Sequence, residues 1–85
     1  MNAINWQPKA LRQLRKLEPR TALRIRAAVT VELSDLSNAK NVKALTNHNF
    51  DYRLRVGNYR VFFNFEDEVE IVSIEEVKKR NERTY

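Results

Sequence analysis

The run Tyr52-Arg53-Leu54-Arg55-Val56-Gly57-Asn58-Tyr59-Arg60-Val61-Phe62-Phe63 leaves the chain few ways to fold. Tyr52, Leu54 and Val56 alternate with Arg53 and Arg55, the period-two pattern of a half-buried strand. Gly57-Asn58 follows, and Gly57 is the only glycine in the protein. The pair is expected to supply the positive φ angles of a two-residue hairpin loop. With the loop there, Val56 faces Tyr59, Arg55 faces Arg60, and Leu54 faces Val61. The apolar pairs share one face of the hairpin, and Arg53, Arg55 and Arg60 share the other. Two arginines directly opposed on a ladder repel, at a cost of roughly 0.2–1 kcal/mol. Folding alone gives no reason for that arrangement, but an anionic ligand does. Phosphate is the first choice, because the guanidinium fork matches its oxygens bidentately.

The rest of the composition narrows the class. Eighty-five residues allow one domain, residues 1–85, with one modest core. The absence of cysteine excludes a disulfide framework and thiolate metal sites. With no signal-peptide pattern and no apolar run long enough for a membrane, a cytoplasmic setting without a membrane partner is expected. The net charge of +5 is unevenly spread. Residues 1–49 hold nine Lys/Arg against three Asp/Glu, and residues 50–85 hold seven against eight. The second half is thus basic only locally, at the hairpin and at Lys78-Lys79-Arg80. Clustered cations on a balanced background point to a polyanion partner.

Taken in order, Ala3-Ile4-Asn5-Trp6 reads as a short strand, and Pro8 sits well at the first position of a helix. Ala10, Leu11, Leu14 and Leu17 recur at helical spacing up to Pro19, which stops that helix and opens the next. Ala22, Ile25, Val29, Leu33 and Leu36 form the apolar stripe of a second helix over residues 20–36. Residues 37–49 read as a polar loop anchored by Val42 and Leu45. After the hairpin, Glu66-Asp67-Glu68 marks a turn, and Val69 to Ile74 reads as the last strand, followed by a charged tail from Val77 to Tyr85. The expected fold is α+β, in the order β-α-α-β-β-β. An N-terminal strand and a helical hairpin pack on one face of a small antiparallel sheet, leaving the other face open for the arginines.

Over almost its whole length the sequence resembles the RelE/ParE toxins of bacterial type II toxin–antitoxin systems. The resemblance is carried by the Trp-bearing first strand, the helical hairpin, Val42 to Leu45, the run from Tyr52 to Val61, and the basic tail ending in Tyr85. It implies the RelE-like microbial RNase fold, a cognate antitoxin partner, and one of two targets. RelE-like members cut mRNA in the ribosomal A site, whereas ParE-like members poison DNA gyrase on the same fold. On the RelE-like reading, the ribosome and mRNA are partners and no metal or small-molecule cofactor is used. The family's site residues then map onto Arg53, Arg55 and Arg60, onto Lys79 or Arg80 in the tail, and onto Tyr85, which can stack on a base. The implied chemistry is attack of the RNA 2′-OH on its own phosphate, giving a 2′,3′-cyclic phosphate and a 5′-OH. That step needs a proton acceptor, a proton donor and charge stabilisation on the phosphorane. Where the best-known family pattern has lysine, this chain has Arg53, and arginine is a poor proton acceptor. Three alternatives follow: another group is the base, the ribosome contributes, or the chain does not cleave RNA and is a gyrase poison or a non-catalytic binding module. His48, the only histidine, reads as a loop residue, and the acidic turn as solvated.

Overall fold

Pro8 and Pro19 each stand in the first turn of a helix, where the missing N–H removes no helical bond. They open α1 (Pro8–Arg15) and α2 (Pro19–Leu33), linked by only a few residues. The computed structural model describes residues 1–80. Its remaining elements are β1 (Ala3–Trp6), β2 (Val42–Ala44), β3 (Tyr52–Val56), β4 (Tyr59–Glu66) and β5 (Ile71–Lys79). The five strands form one sheet in the order β1-β5-β4-β3-β2. The α+β class and the one-sided packing of the helices agree with the sequence reading.

Several details differ from it. The sheet is mixed, because β1 runs parallel to β5, pairing Ala3 with Ile71 through Trp6 with Ile74. The segment expected to be loop contributes β2, whose Val42, Lys43 and Ala44 pair with Leu54, Arg53 and Tyr52. Of the expected anchors only Val42 lies in it, and three residues are too few to show a period. Finally, α2 ends at Leu33, and Leu36 opens a short 3₁₀ turn. Asp35 favours that break. Its carboxylate accepts the Ser37 N–H at 3.1 Å and bonds the Ser37 and Asn38 side chains, which holds its pKa below the usual carboxylate value.

The core lies between the helices and one face of the sheet. Ala10 and Leu14 of α1 and Ile25, Val29 and Leu33 of α2 pack on Leu54, Val56, Val61, Phe63, Val72, Ile74 and Val77. Phe63 is fully buried and stacks on Tyr52 of the neighbouring strand, with ring centroids 5.4 Å apart. β5 continues past the end of β1, so its outer edge at Val77 lacks a strand partner. Gln13 of α1 fills that role, its Oε1 accepting the Val77 N–H at 2.6 Å.

One irregularity in β5 matters for everything on the open face. The β4–β5 register passes from Phe63 opposite Ile74 to Phe62 opposite Glu76, which leaves Glu75 as an extra residue. This bulge inverts the alternation of side chains. Before it, even-numbered Val72 and Ile74 point into the core. Beyond it, odd-numbered Val77 is buried and the even-numbered residues turn to the open face. The last strand therefore extends well past Ile74, and Lys78-Lys79-Arg80 belongs to it and its end rather than to a free tail.

Candidate functional site

The hairpin registers as its sequence predicts: Val56 opposite Tyr59, Arg55 opposite Arg60, Leu54 opposite Val61. At the loop only Gly57 has a positive φ, 56°, and Asn58 does not. The expectation of two positive angles is corrected to one, the pattern in which glycine is needed only at the first loop position. Gly57 is also approached from below. A Cβ built there lies 3.0 Å from Nη1 of Arg24, a residue of α2. Gly57→Ala is expected to cost on the order of 1–2 kcal/mol from the left-handed backbone alone. In a thermal melt this is a fall of several degrees for a domain of this size.

Beside the loop, Arg53, Arg55, Arg60 and Arg80 line one pocket of about 70 Å³ together with Gly57 and Tyr59. The bulge at Glu75 decides which basic residue of the last strand joins them. Lys79 pairs with Tyr59 and is not among the pocket's residues, whereas Arg80 is. Its backbone N–H donates to the Asn58 carbonyl and so ties the end of β5 to the hairpin loop. Of the two tail residues, Arg80 is therefore the one placed in the pocket. Accordingly, Arg80→Ala is expected to weaken inorganic phosphate or oligonucleotide binding by several-fold, and Lys79→Ala to change it little; titration at low salt checks this. Tyr85 lies outside the described residues.

Among the described residues, none of these four arginines makes a salt bridge. Arg53 alone of the four is partly buried. Partial burial, and then the positive charges of Arg60, Arg55 and Arg80, lower its pKa from the ordinary arginine value. A guanidinium stays protonated through such a shift, so the pocket keeps its full charge with no counterion among the described residues. Two lysines extend the basic face: Lys43 is paired with Arg53 on one side, and Lys78 with Arg60 on the other. The sequence reading missed Lys43 because β2 itself was missed.

Three further features of this face were not anticipated. Glu76, only 11% exposed at its side chain, is held by Lys9 at 3.1 Å and Lys78 at 3.8 Å. Phe62 stands between Arg53 and Glu76 in one row across the sheet, yet it is 7% exposed. It is covered by the loop between β2 and β3, which Leu45 N–H closes onto the Asp51 carbonyl and Asp51 N–H anchors to Asn64 Oδ1. That loop lays His48 flat on Phe62, with centroids 5.2 Å apart and planes 13° apart, and sets Phe50 against both rings. His48 Nδ1 accepts the Phe50 N–H at 3.1 Å. That nitrogen is therefore occupied, and in the neutral ring the proton sits on Nε2. His48 Nδ1 is thus taken by the Phe50 N–H, and Glu76 Oε2 by two lysines.

The model of the ParE toxin of type II toxin–antitoxin systems, parDE, matches residues 4–84. The chain belongs to the ParE toxin family. The RelE/ParE resemblance read from the hairpin and its flanks is thereby borne out. Solved structures give the fold of this ParE-family toxin independently. It is similar to the toxin–antitoxin complex RelBE2 from Mycobacterium tuberculosis, at 23% identity and a TM-score of 0.74 over 93% of this chain and 98% of that one. It is similar to the isolated RelE toxin of E. coli, at 19% identity and a TM-score of 0.79 over 99% and 89%. The archaeal RelE–RelB complex from Pyrococcus horikoshii OT3 matches at 21% identity and a TM-score of 0.71 over 95% and 97%. Such identities speak for a shared fold and leave the target open. No match to a curated protein was found. In the described residues no helix is long and apolar enough to cross a membrane.

Proposed function

We propose that this toxin is an mRNA endonuclease that acts in the translating ribosome and is neutralised by a cognate antitoxin, with the arginine pocket as its phosphate site. The observation that supports this reading most strongly is the convergence of Arg53, Arg55, Arg60 and Arg80 on one pocket with no carboxylate lining it among the described residues. Four guanidinium groups without a salt bridge among the described residues are suited to a phosphate whose charge grows in a phosphorane transition state. Arg55 and Arg60 clamp the scissile phosphate, Arg80 reaches it from the end of β5, and Arg53 stabilises charge on the attacking side. An antitoxin segment carrying carboxylates covers the same face and folds as it binds; the toxin–antitoxin complexes of the same fold support such a partner.

The missing proton acceptor leads to a sharp test. Lysine at position 53 keeps the charge but can lose its proton, and the burial and three arginines that press on Arg53 would lower an amine's pKa there as well. Arg53→Lys is therefore expected to retain or increase cleavage, with a rate that rises with pH as the amine deprotonates. Arg53→Gln is expected to lose most of it. Primer extension on a translated message measures both; equal cleavage by the two variants would remove Arg53 from the mechanism.

A second reading is favoured by the family model, which is that of the ParE toxins. In it the same face contacts DNA gyrase or its DNA without chemistry, and Arg53 needs no proton acceptor at all. Inhibition of gyrase supercoiling by the parent toxin, with messages left intact, supports this second reading over the first.

A further inference from the structure

We propose that His48, Phe50 and Phe62 form a stacking platform for a nucleobase, placed so that a single-stranded RNA with a phosphate in the arginine pocket lays an adjacent base on the exposed face of His48. The inference rests on the RNA reading above and adds to it a base-binding subsite. Its first support is position. Phe62 is the cross-strand partner of Arg53 and lies two residues along β4 from Arg60, on the same face of the sheet. Neighbouring strands are about 4.8 Å apart and alternate residues along a strand about 7 Å, so the cluster adjoins the pocket within the reach of one nucleotide. Its second support is the form of the stack. Phe62 is nearly buried beneath a stacked imidazole, while His48 itself is exposed. One face of His48 is thus supported by Phe62, and the exposure of the residue leaves room for a base against the ring.

The third support is that the ring is held in place. The Phe50 N–H bonded to Nδ1 and the Phe50 ring at 5.7 Å fix the imidazole over Phe62. A neutral ring so fixed presents an Nε2–H at its rim for a base or sugar oxygen. The cluster lies on the face opposite the helices, apart from the main core, which does not include Phe62. A stacked aromatic support next to a basic groove is the common way to hold a single strand, since every base has a π face.

The test compares two labelled hexamers of equal backbone charge at low salt, a 2′-O-methyl oligoadenylate and its abasic counterpart, by fluorescence anisotropy. The parent toxin is expected to bind the base-bearing hexamer at least about fivefold more tightly, the lower end of what one stacked base contributes. His48→Ala is expected to bring that ratio close to one, and His48→Tyr, which keeps a π face, to preserve it. Circular dichroism melts of both variants verify that they are folded. Equal binding of the two hexamers by the parent, or an undiminished ratio in folded His48→Ala, overturns the platform and leaves the phosphate site standing. Binding of neither hexamer overturns the platform together with the RNA reading on which it rests.

Discussion

Replacing Arg55 or Arg60 by alanine will abolish toxicity while leaving the melting temperature unchanged or slightly raised. The two side chains oppose each other directly across the β3–β4 ladder, and no described carboxylate pairs with either. Removing one relieves a repulsion of roughly 0.2–1 kcal/mol and takes no side chain out of the core, since both are exposed. A slight rise of a few degrees is the upper limit for a domain of this size. Loss of function should be large, because a phosphate held by four guanidinium groups loses a charge-assisted bond that strengthens in the transition state. Growth inhibition on induction, set beside a thermal melt of the purified variant, measures both quantities. Unfolding of these variants would show the arginines to be structural and would undo the reading of the hairpin.

Phe63→Ala will do the opposite. Phe63 follows Phe62 on β4 but points to the other side of the sheet, is 0% exposed, and stacks on Tyr52. Truncating a buried phenylalanine costs about 3–5 kcal/mol in lost contacts and residual cavity, against a total stability of about 5–15 kcal/mol for ordinary domains. The melting temperature is expected to fall by on the order of 15 °C or more, and toxicity to fall only in proportion to the folded fraction. Leu54→Ala and Val61→Ala, at a cross-strand pair on the same face, should follow at roughly 1–4 kcal/mol each. Chemical denaturation of the three variants measures these losses directly; a Phe63→Ala protein as stable as the parent would contradict the assignment of the core face.

The contrast between these variants shows what the amino-acid order made legible. Alternation from Tyr52 to Val56, with the one glycine fixing the loop, was enough to set the register and to bring Arg53, Arg55 and Arg60 to one face. The two prolines and the Ile25, Val29, Leu33 stripe were enough for the helical hairpin. The positions that escaped were those settled by long-range pairing. Lys43 joins the basic face only because a three-residue strand adds to the edge of β3. Arg80 joins it, and Lys79 does not, because one bulge at Glu75 inverts the side-chain order of β5, and neither residue type nor local period records a bulge. Phe62 and His48 escaped for a related reason. An aromatic residue on an open face and a histidine in a polar loop each look unremarkable until the loop folds one onto the other. The parallel pairing of β1 with β5 joins the two ends of the described chain, which no local pattern can anticipate.

Primer extension on a message translated in a cell-free system is the most direct test of whether this basic face works on RNA. Purified parent toxin is predicted to produce new 5′ ends within the translated region only while ribosomes are engaged, and the same amount of folded Arg60→Ala to produce none. An intact message in the presence of the parent toxin, together with inhibited supercoiling by DNA gyrase, would contradict the RNA reading and assign the arginine pocket to the gyrase-directed branch of the family.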